Sequence, residues 1–117
     1  MWFKKETKYI YVVVRKDIPV EDQMVQVGHA CFDAGKKFGL KGVHLVLLEV
    51  ENVFDLHSLW DDMENAKIQY CQFWEDNLVT DYLGFKHEMG YTAFCTQPIS
   101  GKKRQIFANY PLWKYQK

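Results

Sequence analysis

The sequence predicts one α/β domain, a small four-stranded mixed β-sheet flanked by helices, and three observations carry that expectation. The run Ile10-Tyr11-Val12-Val13-Val14 is continuously β-branched and aromatic, the composition of a central strand covered on both faces. The segment from Pro19 to Phe38 then repeats apolar residues in steps of four and three, which is the helical period. Strand-like and helix-like stretches go on alternating, so right-handed crossovers place the first two strands parallel. A chain of 117 residues suits one continuous core, and residues 1–117 are read as a single domain.

The first strand falls within Lys8 to Arg15. Pro19, Glu21 and Asp22 suit a first helical turn, where proline lacks a needed donor and carboxylates meet the positive dipole end. The predicted helix places Val20, Met24, Val27, Cys31, Ala34 and Phe38 on its core face and ends at Gly39. Asp22, Gln26, His29 and Asp33 form a separate polar line. Val43 to Val50 reads as the second strand, and Asn52 caps a second helix that buries Val53, Leu56, Trp60 and Met63. Ile68 to Glu75 alternates only partly and carries Gln69 and Gln72, as a strand near the sheet edge does. Residues Asp76 to Gly90 read as a long loop. Tyr91 to Gln97 alternates and stops at Pro98, giving a fourth strand free to run antiparallel, before a basic turn, Gly101-Lys102-Lys103-Arg104, and an aromatic tail.

Composition narrows the function classes. The net charge is zero, so nucleic-acid contact has to be local rather than driven by the whole molecule. Cys31, Cys71 and Cys95 are odd in number and far apart, without a C-x-x-C pair, which predicts reduced thiols in the cytoplasm rather than disulfides or zinc. His29, His44, His57 and His87 show no ligand spacing, and no metal or cofactor is expected. Behind Met1-Trp2-Phe3-Lys4-Lys5 there is no apolar stretch of signal-peptide length, and no run approaches a membrane span. Four Trp, seven Tyr and eight Phe exceed the needs of a small core. This excess, with Trp113 and Tyr115 in the tail, points to a homo-oligomer, a dimer first.

Two segments together carry a family resemblance. A valine-rich strand ending Val14-Arg15-Lys16-Asp17-Ile18 is followed at helical distance by Gln26-Val27-Gly28-His29-Ala30, which resembles the R-x-D-L and Q-x-x-H-A signature of the peptidyl-tRNA hydrolase 2 family. Phe73-Trp74-Glu75-Asp76 and Tyr91-Thr92-Ala93 look like the acidic turn and threonine-bearing last strand of its bacterial and phage members. The likeness runs from about residue 8 to residue 98. It implies a four-stranded mixed sheet and cleavage of the ester joining a peptide to the tRNA 3′ end. Gln26 falls on the family's helix glutamine, Glu75 or Asp76 on its active-site aspartate, and Thr92 on a threonine near the site. Four positions before Gln26, where active members carry lysine, stands Asp22.

That exchange puts an anion where an oxyanion or phosphate needs positive help. Asp22 suits a helix start, and as a catalytic group it can only orient or deprotonate water. His29 is either a base in place of the lysine or a half-buried histidine hydrogen-bonded on the sheet side. Glu75 and Asp76 are either a catalytic pair or a solvated loop. Arg15 and Lys16 could converge with Lys102, Lys103 and Arg104 on one rim that grips tRNA phosphates, with Trp74 or Tyr91 as a stacking surface. The leading expectation is a metal-free peptidyl-tRNA hydrolase whose cation comes from Arg15 or Lys16. The alternative is a non-catalytic member that binds a tRNA end, a nucleotide or a protein partner.

Overall fold

The computed structural model describes residues 6–80 and 83–115, so the amino-terminal Met1–Lys5 reading lies outside the described residues. The elements run β1 (Tyr9–Arg15), α1 (Val20–Phe38), β2 (His44–Val50), α2 (Val53–Asn65), β3 (Tyr70–Thr80), β4 (Lys86–Thr96) and a 3-10 helix (Gly101–Phe107). The sheet order is β2-β1-β4-β3. β1 and β2 are parallel, while β4 runs antiparallel to both β1 and β3. The expected α/β class, mixed sheet and edge position of the third strand are all present.

β1 is hydrophobic throughout because both faces of the sheet are covered. Ile10, Val12 and Val14 pack with Ala30, Ala34, Ala93 and Cys95 beneath α1. Tyr11 and Val13 meet Leu56, Leu59, Met63 and Phe94 beneath α2. Asn52 caps α2 by accepting a hydrogen bond from the Asp55 N–H, and Gly39 ends α1 in the left-handed conformation at φ 61°.

Three expectations are corrected. The core-facing stripe of α1 is corrected in part: Ala34 is buried and Val27, Cys31 and Phe38 pack against the core as expected, but Met24 is 64% exposed, and Gln23, Gln26 and Ala30 are buried as well. The alanines let the helix approach the sheet, and both glutamines find partners there, which removes most of the cost of burying an amide. The Asp22–Gln26–His29–Asp33 line therefore does not face solvent as a unit. Nor is 76–90 a long loop, since Leu78↔Glu88, Val79↔His87 and Thr80↔Lys86 pair β3 with β4 beyond a bulge between Glu75 and Leu78. This hairpin carries no alternation because neither of its faces is covered, so burial imposes no period of two. Finally, the Lys102–Arg104 turn is part of the 3-10 helix.

The tail is used within the chain. The Glu49 N–H donates to the Pro111 carbonyl, the Trp113 N–H donates to the Leu47 carbonyl, and the indole donates to Gln23 Oε1 at 2.7 Å. The outer edge of β2 is thus covered by residues of its own chain. Trp113 is half-buried against its own chain, whereas Tyr115 is exposed. Trp113→Ala is expected to destabilise the fold by about 2 kcal/mol, the lower part of the large-to-small range because the indole is only half-buried. The urea midpoint reads this out; an unchanged midpoint would mean that the tail's docking contributes nothing.

Candidate functional site

β1 ends shortly before α1 begins, and side chains from α1, β3 and β4 meet at that end of the sheet. Gln26, 1% exposed, projects from α1 onto β4 and β3. The Thr92 hydroxyl donates to Gln26 Oε1 at 3.1 Å, and Gln26 Nε2 donates to Glu75 Oε1 at 3.4 Å. Glu75 is held further by Asn77 Nδ2 at 2.8 Å and the Asp76 N–H at 3.1 Å. Three of the expected site residues therefore form one hydrogen-bonded network. Asp22 lies half-buried one helical turn before Gln26, adding a second carboxylate on that side.

Strand alternation separates the rest. Asp76 accepts from the Trp74 indole at 2.7 Å, and Trp74 meets Tyr91 edge-to-face at 4.8 Å. Tyr91 in turn packs on Trp60 of α2. Trp74, Asp76 and Tyr91 thus occupy the face opposite Gln26, and of the acidic pair only Glu75 joins the network. His29 is exposed, its ring stacked on Phe73 at 4.3 Å with the two planes nearly parallel, instead of half-buried with a sheet-side hydrogen bond. That stacked pair borders the network on the α1 side, because His29 follows Gln26 by three residues and Phe73 precedes Glu75 by two.

The basic rim does not assemble. Arg15 is 7% exposed, and its Nη1 donates to the carbonyls of Met89 and Tyr91 while Nε and Nη2 grip both Asp17 oxygens. Lys16 Nζ pairs with Glu51 at 2.8 Å and Glu49 at 3.5 Å; the Glu51 hydrogen bond raises its pKa above the ordinary lysine value. Arg104 lies at the other end of β1, its guanidinium 3.7 Å over the Tyr9 ring and its Nε donating to the Tyr11 hydroxyl. The six steps from Tyr9 to Arg15 span roughly 20 Å of strand, too far for one phosphate-gripping rim.

One feature escapes sequence reading. Cys71 of β3 stands opposite Cys95 of β4, and Cys31 of α1 packs against the same core cluster as Cys95, whose thiol donates to the Thr96 carbonyl. The proximity of Cys31 and Cys95 lowers the Cys31 pKa and raises that of Cys95, while burial raises that of Cys71. All three are free thiols. Only strand register brings them together, and spacing carries no trace of it. Among the described residues, no group of three or more His, Cys, Asp or Glu is arranged to hold a metal ion, and no helix is long and apolar enough to cross a membrane.

The fold and this network define a small α/β domain with a polar site at the carboxyl edge of its parallel strands. It is similar in fold to a solved protein of unknown function from Agrobacterium tumefaciens strain C58, with a TM-score of 0.68 and 12% identity over 92% of this chain and 98% of that one. No family model and no curated protein matches the sequence.

Proposed function

We propose that this chain is a peptidyl-tRNA hydrolase 2-like protein whose Gln26–Glu75–Thr92 site binds its ligand without cleaving an ester. The supporting observation is that both cations offered for the site are engaged elsewhere, Arg15 with Asp17 and two carbonyls, Lys16 with Glu49 and Glu51. Ester cleavage needs positive charge or aligned donors where the oxyanion develops. Here Glu75 and Asp22 supply negative charge instead, and they favour a ligand presenting N–H or O–H donors. The amide and ribose hydroxyls at an N-blocked aminoacylated tRNA end have that character. The free thiols fit a cytoplasmic location.

The hydrolase reading keeps one observation in its favour, the assembled Glu75–Gln26–Thr92 network. Single-turnover assays with labelled N-blocked aminoacyl-tRNA separate the two, with N-blocked aminoacyl-adenosine as a phosphate-free probe of binding. The expected result is saturable binding of the adenosine ester, weakened at least about tenfold by Gln26→Ala, which removes about 1.4 kcal/mol or more. No cleavage by the parent is expected, and Asp22→Lys should introduce some. Cleavage by the parent that Gln26→Ala abolishes would establish the hydrolase. Neither binding nor cleavage would remove both readings.

A further inference from the structure

Although the chain is neutral overall, its charge is segregated along the strand axis. Around the Gln26 end gather Asp17, Glu21, Asp22, Glu49, Glu51 and Glu75, and the buried Arg15, the paired Lys16 and Lys114, whose backbone N–H donates to Glu49, offset them only in part. The amino end of β1 is the reverse. A cavity of about 370 Å³ is lined by Glu6, Lys8, Lys41 and His44; one of about 490 Å³ by Lys37, Glu64 and Lys67; and one of about 340 Å³ by Lys102 and Lys103. Ile68 borders the second and third, and Glu6 of the first reaches the start of the 3-10 helix at Gly101. The three form a connected track whose lining holds six lysines against two carboxylates, with Asp61 near enough to act on Tyr70 and Asp33 on Cys71. Of the two lining carboxylates, Glu64 is engaged by the Tyr70 hydroxyl. Arg104 adds a guanidinium held in place by Tyr9 and Tyr11.

We propose that this track binds the phosphodiester backbone of a single-stranded nucleic acid. Between the lysines Thr7, Gln69, Gln97 and Ser100 supply hydrogen-bonding groups, the Ile68 and Ile99 that share the lining are buried rather than projecting, and the rings of His44 and Tyr70 stand along it. Cations that follow a backbone, together with rings on which bases stack, are what single strands require. An anionic bilayer would instead ask for apolar side chains to insert between the lysines. The surface lies at the opposite end of β1 from Gln26, so this inference does not depend on the reading of that site.

Fluorescence anisotropy with labelled oligouridylate and oligodeoxythymidylate over a salt series tests it. Affinity is expected to fall linearly on logarithmic axes, with a slope of about −0.7 per phosphate neutralised. Lys102→Glu/Lys103→Glu, exposed and outside the core, should weaken binding at least about tenfold and reduce the slope by about 1 to 2. Lys8→Glu/Lys41→Glu, in the other cavity, should do the same. A preference for one oligonucleotide identifies the nucleic acid. Absence of binding by the parent at low salt, parental affinity in both double variants, or tighter binding to phosphatidylserine vesicles than to either oligonucleotide would overturn the proposal.

Discussion

Arg15→Ala is expected to lower stability by about 3–5 kcal/mol, a large share of the roughly 5–15 kcal/mol that holds a domain of this size. The guanidinium reaches from the end of β1 to the Met89 and Tyr91 carbonyls at 2.8 and 2.9 Å, tying the first part of β4 to the centre of the sheet. Alanine would leave those carbonyls without donors in a buried place, and an unmet buried acceptor costs about 1–3 kcal/mol. Asp17 would lose its counter-charge as well. Lys16→Ala, at the neighbouring position, should cost far less because its ammonium is solvated. Urea unfolding of the two variants makes the comparison. A small stability loss in Arg15→Ala, accompanied by selective loss of ligand binding, would return Arg15 to the ligand site.

Phe94→Ala is expected to cost about 3–5 kcal/mol by thermal or urea unfolding. Phe94 lies in the interior strand β4 with no solvent exposure, across from Val13 of β1 and Gln72 of β3, its ring 5.7 Å from that of Tyr70. Sheet and α2 close on it from opposite sides, so little can collapse into the space that truncation opens. Phe32→Ala is the control: Phe32 is 67% exposed on the outer side of α1, and its loss should shift stability by under about 0.5 kcal/mol. Equal effects at the two positions would mean that β4 is not the centre of the core.

Much of the fold was legible because it rests on local signals. The β-branched run of β1, the Asn52 cap, the Gly39 stop and the glutamines of β3 each act within a few residues, and each was realised as read. The face that α1 buries is legible only in part, because Gln23 and Gln26 look like solvent-facing residues until partners from other elements satisfy them. The extended hairpin was missed for the opposite reason: with no face covered, its strands carry no hydrophobic alternation.

The candidate site divides in the same way. Gln26, Glu75 and Thr92 were chosen through a resemblance, and their hydrogen bonds come from β3–β4 register and from the approach of α1. Sequence alone could not choose between Glu75 and Asp76, since adjacent strand residues point to opposite faces and only the sheet's surroundings say which face holds the glutamine. Nor could it locate the charges. Arg15 and Arg104 look alike as basic residues, yet one is an internal tie and the other borders a surface at the far end of the same strand.

By itself, the sequence determined the α/β class, the order of the elements and the main boundaries of β1, α1, β2 and α2, because propensity, capping and periodicity act over short distances. Only the tertiary structure decided that three dispersed cysteines share one face, that the aromatic tail closes the β2 edge, and that a neutral chain has one acidic and one basic end. Those properties depend on which distant residues register and packing bring together, and no local pattern records that.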